Sequence, residues 1–352
     1  MIQPIIRTPH FIDALKAQSA TFMLALSNTA TAEIEGITQA GIPGSIHLTP
    51  TLDAEFVATG KVFSLPNVAE TPKGVPTPAL ITRAVHLLHP FTQIELLDLG
   101  LKVLPKAEET PLHRFDIPPS GRIDEGASID AKAVFDKGVA FGRNYQCEST
   151  YLVLGESVPS GTTTARATAL ALGYDADTLF SSSFKAVPED IRSRTVQAAL
   201  ANINAEDNIW QKLGKVSDNM LLFVAGFIIG VNGRFPILLA GGTQMACALL
   251  VADTLARETG RAFCGDNLAL ATTKWVAHDP HSDIAALLKM LSFDAASIYS
   301  DFDFSLSNHP ALKLYDKGEA KEGVGAGGAL VYGALNGLSQ EEITRQVEAF
   351  LG

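Results

Sequence analysis

Cysteine, tryptophan and methionine are scarce: three, two and five in 352 residues. The cysteines, Cys147, Cys247 and Cys264, stand far apart and form no C-x-x-C pair. That spacing offers neither a disulfide framework nor a zinc site, so free, buried thiols are expected. Charge is also low, at 18% of residues against 47% hydrophobic. Such a composition excludes disorder and requires a large buried core. Basic residues are few, 27 Lys and Arg against 38 Asp and Glu, for a net charge of −11. No basic cluster exists, which argues against a nucleic-acid partner, and the acidic surface serves solubility. Long apolar runs are missing as well. The nearest, MLLFVAGFIIGV, is stopped by Asn232 and Arg234, short of the roughly 20 residues a membrane span needs. The opening MIQPIIRTPHF lacks the charged-then-apolar order of a signal peptide. The expectation is a soluble, cytoplasmic protein.

What is present is an alternation. Buried-strand patterns lie at 21–27, 149–155, 235–241, 267–277 and 297–306. Helical patterns lie at 129–141, 163–172, 188–202, 216–230, 243–258, 282–291 and 339–350. Strands alternating with helices of this length predict parallel βαβ units. Unbroken apolar strands predict burial on both faces. The expected fold is α/β: a doubly wound, mainly parallel sheet with flanking helices and a smaller helical domain from the chain ends. LPKAEETPLHRFDIPPSGRIDEG, within 104–127, is rich in proline and charge and reads as a surface connection. It divides an N-terminal part (1–117) from a core (118–335) and a C-terminal helix (336–352).

Four stretches invite a functional reading. In KEGVGAGGAL (321–330), Gly323, Gly325 and Gly328 spell G-x-G-x-x-G. A dinucleotide turn must follow a strand and open a complete βαβ unit. The preceding YDKGEAKE is too polar for a buried strand, and only a helical pattern follows. What remains is an acid, Glu322, ahead of a backbone that can approach a ligand closely; Glu319 is its local rival. In GESVPSGTTTARATALALG (155–173) a strand ends at Gly155, with Glu156 at that end, and a helix begins near Thr162; such a helix start is an anion site. KLGKVSDNM (212–220) offers Lys215 as a point charge for a phosphate. In LLAGGTQMA (238–246) Gly241 and Gly242 bring backbone close to a ligand. His278 and His281 are expected in a loop, since Pro280 breaks a metal-binding helix face. Asp301 and Asp303 are expected at a solvated edge.

Taken in order, these stretches resemble nicotinate-nucleotide–dimethylbenzimidazole phosphoribosyltransferase over about residues 118–335. Glu156, Thr162 and Thr163 fall in step with the family's G-E-M-G-I-G-N-T-T turn, with Ser157 and Gly161 between them. Lys215 and Val216 match its K-V-G-G, with Ser217 and Asp218 replacing the glycines. Gly241 matches its D-G-F, with Ala240 for the aspartate. Glu322 fits the place of the catalytic glutamate. The resemblance implies transfer of ribose 5-phosphate from nicotinate mononucleotide to an aromatic base. Glu322 is then the general base and Glu156 the stabiliser of charge on the ribose. Ser157, Gly161, Thr162, Thr163, Lys215, Gly241, Gly242, Gly323 and Gly325 surround substrate and phosphate. Thr82 and Arg83, in GVPTPALITRAV, are candidates for the base. It implies a homodimer and neither metal nor cofactor. Transfer to another base such as a purine, or a non-catalytic nucleotide or sugar-phosphate binder, are the alternatives.

Overall fold

The computed structural model describes residues 2–186 and 188–352. Among the described residues eight strands form one sheet: β1 (Ile2–Pro4), β2 (Ala20–Leu26), β3 (Gln93–Asp98), β4 (Leu112–Arg114), β5 (Tyr151–Ser157), β6 (Ile237–Ala240), β7 (Leu268–Thr273) and β8 (Ala296–Ser300). Their order is β1-β8-β7-β6-β5-β2-β3-β4, parallel throughout except the β1–β8 edge pair. β2 and β5 to β7 are buried along their whole length, which is why they read as apolar runs rather than alternations. From β2 the chain builds outward through β3 and β4. From β5 it builds the other way. The β2–β5 seam is therefore the switch point, where a crevice opens at the strands' carboxyl ends.

Helices α1 (Thr49–Thr59), α2 (Ala79–Leu88), α11 (Ala326–Leu335) and α12 (Gln340–Glu348) come from the two ends of the chain and share one core over one face of the sheet. The opposite core carries α3 (Ala131–Asn144), α4 (Gly161–Ala171), α6 (Ile209–Val216), α7 (Asn219–Val231), α8 (Thr243–Thr259) and α10 (Ile284–Lys289). α5 (Glu189–Ala201) packs outside α4, and α9 (Lys274–Ala277) is one turn after β7. All of α7 is buried. Gly226 and Gly230 let α7 lie directly on the backbone of α3. Among the described residues no helix is long and apolar enough to cross a membrane.

Several expectations shift. The 267–277 pattern divides into β7 and α9. The 297–306 pattern ends as a strand at Ser300, with Asp301 and Asp303 both paired to Lys274. Within 104–127, β4 pairs with β3 and Ile123 is fully buried, so that stretch is partly built into the fold. All three thiols are free, but Cys147 and Cys264 are only half-buried.

Candidate active site

A cleft lies at the carboxyl end of β5 beside the switch point. Four segments supply its chemistry. The first is the end of β5 and the start of α4, Glu156 to Thr162. The second is the turn from β6 into α8, Gly242 to Gln244, and the third the loop Ala320–Val324 before α11. Asp53 of α1 and the Thr71–Pro78 stretch close the fourth side.

Glu322 enters on the third segment. Its Oε1 accepts the N–H groups of Gly323 (3.1 Å) and Gly327 (3.0 Å). Its Oε2 accepts the Thr273 N–H (2.9 Å) and the Thr272 hydroxyl (3.0 Å). Burial pushes the carboxyl up to about 7 against the pull of those four donors. The loop that delivers it is strained. Val324, a β-branched residue, sits at φ 55, a conformation such side chains avoid. It is clamped on both sides: its N–H donates to Glu156 O (2.7 Å), and its carbonyl accepts the Thr82 hydroxyl (2.8 Å). α11 then seats flush on the sheet. A Cβ at Gly325 would stand 2.8 Å from the Phe22 ring, and one at Gly155 2.8 Å from Gly325 Cα.

Glu156 is the second acid. Burial raises its carboxyl to about 8, helped by the negative charges of Glu322, Asp218 and Asp53. Successive glycines face the two acids: a Cβ at Gly241 would lie 3.8 Å from Glu156 Oε1, and one at Gly242 3.7 Å from Glu322 Cγ. Asp53 accepts the Thr77 and Ser157 hydroxyls, each at 2.7 Å, and burial lifts its carboxyl to about 6. Lys321 brings a cation to the wall; its Nζ meets Asp279 Oδ2 at 2.8 Å with both side chains buried. The Ser181 hydroxyl also donates to Asp279 (2.6 Å). Burial opposes the Asp279 carboxylate, but Lys321 and Ser181 hold it below the ordinary range.

Of the residues singled out from the sequence, Glu156, Ser157, Gly161, Thr162, Gly242, Glu322 and Gly323 line this cleft. Gly241 backs it beside Glu156. Thr163 is buried inside the first turn of α4, and Gly325 packs against β2 and β5. Three expectations need correcting. Lys215, assigned to a phosphate, sits at the end of α6 with its Nζ on Asp207 (2.5 Å), in another cleft. Its charge is consumed by that neighbour. Thr82 holds Val324, and the Arg83 guanidinium donates to the Val57 and Ala58 carbonyls at the end of α1 (2.9 and 3.0 Å). Neither lines the cleft, because α2 turns that face toward the α11 loop and α1. Lys321, Asp53, Ser160 and Gln244 were missed. Lys321 adjoins Glu322 in sequence and carries that much signal; Asp53 lies in an ordinary helical stretch and carries none.

No family model matches the chain. The UPF0284 protein of Sulfurisphaera tokodaii is 36% identical over 330 residues, 93% of this chain and 91% of the relative. That of Saccharolobus solfataricus is 35% identical over 329 residues, 93% and 91% of the two chains. Among solved structures, nicotinate-nucleotide–dimethylbenzimidazole phosphoribosyltransferase from Thermus thermophilus is similar with a TM-score of 0.58 and 15% identity, over 96% of this chain and 89% of that one. A structure of CobT from the same organism is similar with 0.59 and 16%, over 96% and 90%. The resemblance read from the sequence thus holds at the level of the fold, and by identity and coverage the chain belongs to the UPF0284 family.

Proposed function

We propose that the protein transfers ribose 5-phosphate from nicotinate mononucleotide to an aromatic base, 5,6-dimethylbenzimidazole or a related one, giving an α-ribazole-phosphate type of nucleotide. The observation that carries this reading is the pair Glu156 and Glu322, two acids at the switch point with carboxyls raised to about 8 and about 7. The base nitrogen forms a bond to ribose C1 as the bond from C1 to the pyridinium nitrogen breaks. The electron pair stays on the pyridine, which departs neutral, so no acid is needed. The proton released from the acceptor base passes to Glu322, whose pKa near the operating pH suits a general base worth about 10²–10⁴-fold. Before substrate binds, Glu156 is largely protonated at neutral pH. In its ionised form Glu156 is the group placed to stabilise positive charge developing on the ribose. The N-termini of α4 and α8 favour the phosphate.

The name of the Thermus thermophilus enzyme that shares this fold supports the choice of substrates. Incubation with nicotinate mononucleotide and a panel of benzimidazoles and purines, followed by mass spectrometry, tests it. A nucleotide product with free nicotinate is expected. No product with any base removes the transferase reading. Sedimentation checks the homodimer that the same reading carries.

A further inference from the structure

The cleft has two ends of opposite hydrogen-bonding character. At the starts of α4 and α8 it offers hydrogens: the first N–H groups of a helix lack intrahelical partners, and among the described residues Ser160 Oγ and Gln244 Nε2 have none either. At Asp53 it offers lone pairs instead. Burial lifts this carboxyl to about 6, so it is ionised at neutral pH and can only accept. Its Oδ1 takes the Thr77 hydroxyl hydrogen and its Oδ2 that of Ser157, each at 2.7 Å. A hydroxyl has one hydrogen and two lone pairs. Ser157 Oγ therefore meets a ligand with lone pairs alone. Thr77 Oγ1 gives one lone pair to the Ala79 N–H (3.2 Å) and keeps the other. All three side chains line the cleft and are at most 7% exposed.

The placement says which part of a ligand comes here. Ser157 follows Glu156 in β5, so the two side chains leave opposite faces of the sheet, and Ser157 turns to α1. The Thr77 turn lies against the Glu322 loop: a Cβ at Gly323 would stand 3.8 Å from the Pro78 ring. The Tyr315 hydroxyl, which donates to Pro76 O (2.6 Å), is raised by burial and then by the negative charges of Asp53 and Glu322, so both acids lie near it. Val75, Pro76, Pro78, Val276 and Val324 give the cleft apolar faces between them, which suit a flat ring. A ring that hands its proton to Glu322 thus has another edge within reach of the two oriented hydroxyls. An amino group on that edge carries two N–H bonds, one for each hydroxyl oxygen.

We infer that Asp53, through the Ser157 and Thr77 hydroxyls it orients, makes the site select an acceptor ring that bears an exocyclic amino group over one that bears a methyl group in its place. This rests on the transferase reading for the ring's position beside Glu322, though not for its binding. A methyl group there leaves buried lone pairs unmet, at a cost of about 1–3 kcal/mol, and a site built for a hydrogen bond rejects the analogue that lacks it. Ribose hydroxyls are the competing donors, and pairs of bases that differ only in the ring substituent separate the two.

The experiment sets adenine against 6-methylpurine, and 5-aminobenzimidazole against 5-methylbenzimidazole, each pair nearly equal in shape. Turnover with nicotinate mononucleotide in competition gives a kcat/KM ratio, and calorimetry with ribose 5-phosphate present gives a binding ratio. The wild type is expected to favour the amino member of at least one pair by about 10- to 100-fold. Ser157→Ala and Thr77→Val bring that ratio toward one. In Asp53→Asn the carboxamide N–H2 donates to one hydroxyl and turns its hydrogen to the ligand, so the keto ring of hypoxanthine gains on adenine by about 10-fold. A merely structural effect lowers both members of a pair together and moves neither ratio. Variants that keep the wild-type ratios overturn the inference. So does a wild type that treats both pairs alike, which leaves the hydroxyls to the ribose, or one that binds no base. A wild type that binds the amino rings selectively yet forms no product overturns the transferase reading alone.

Discussion

The loop 319–328 and the segment 207–218 both carry charge beside glycine or an apolar helix, and the fold uses them in opposite ways. In the second, Lys215 rests on Asp207 at the protein surface, and its hydrogen bond to Asp207 holds that carboxyl below the ordinary range. In the first, the same settlement is reached at Lys321, which pairs with Asp279, and at Glu319. Burial disfavours its carboxylate, but Lys73 and Gln39 bind it and bring it below the ordinary range. Three residues later Glu322 has no cation, only N–H and O–H dipoles, and burial wins. A carboxylate with a cation beside it is spent on structure. One held by dipoles inside a cleft stays able to take a proton near neutral pH.

The sharpest way to break that contrast is to remove each acid in turn. Glu322→Gln is expected to lower turnover by about 10²–10⁴-fold, roughly 3–5 kcal/mol of transition-state stabilisation, with little loss of nucleotide binding. Glu319→Gln keeps turnover near wild type and lowers stability instead. Steady-state kinetics that place the large loss at Glu319 would move the base there.

Next in size is the buried pair behind the cleft. Asp279→Asn or Lys321→Met leaves one charge unpaired in a site where the side chains are 0% and 4% exposed, which costs about 3–5 kcal/mol. Denaturant unfolding should show it, and Asp279→Leu with Lys321→Met should recover much of it. A single variant as stable as the wild type would make this pair no different from Lys215–Asp207.

A third test uses pH. Glu156 is raised from 4.5 to about 8 in the folded protein, so the native state binds more protons than the unfolded chain between those values. Stability therefore falls as pH rises from about 4.5 to 8. Glu156→Gln removes that slope, so its stability relative to wild type rises across the window in thermal melts. A difference that is flat with pH would mean that Glu156 is ionised at all these values. The smallest effect belongs to Lys215→Ala: stability close to wild type, as for other ion pairs near the surface, and unchanged binding of nicotinate mononucleotide. A loss of nucleotide affinity would return Lys215 to the phosphate.

The strands that form the seam were legible because burial on both faces leaves no charged residue in their apolar runs, as in TFMLALS and STYLVLG. β3 was not, because Glu95 interrupts QIELLD; in the fold that glutamate is matched by the Tyr145 hydroxyl (2.8 Å) and His113 (2.7 Å). α11 hid in its own glycines, which discourage a helix in isolation and are needed here for contact with the sheet. Glu156 and Glu322 were legible from their place at a strand end and before a glycine run. Asp53, Ser160 and Gln244 were not, since what marks them is a partner, or the lack of one, far away in sequence. Lys215 shows the converse: a cation near the right motif, already taken by a neighbour that only the folded helix brings close.

The flush seat of α11 has a consequence for how this protein can change. A methyl at Gly328 would collide with Ala240, and one at Gly327 would meet Thr272 and come within 2.6 Å of Glu322 Oε2. Neither site has room for alanine, so the smallest mutational step there lifts a helix off the sheet and drags the acid from its donors. The rim of the cleft, by contrast, is made of side chains that can be exchanged one at a time. Descendants of this sequence are free to explore new ligands along that rim, while Gly327 and Gly328 act as a ratchet that allows no gradual departure.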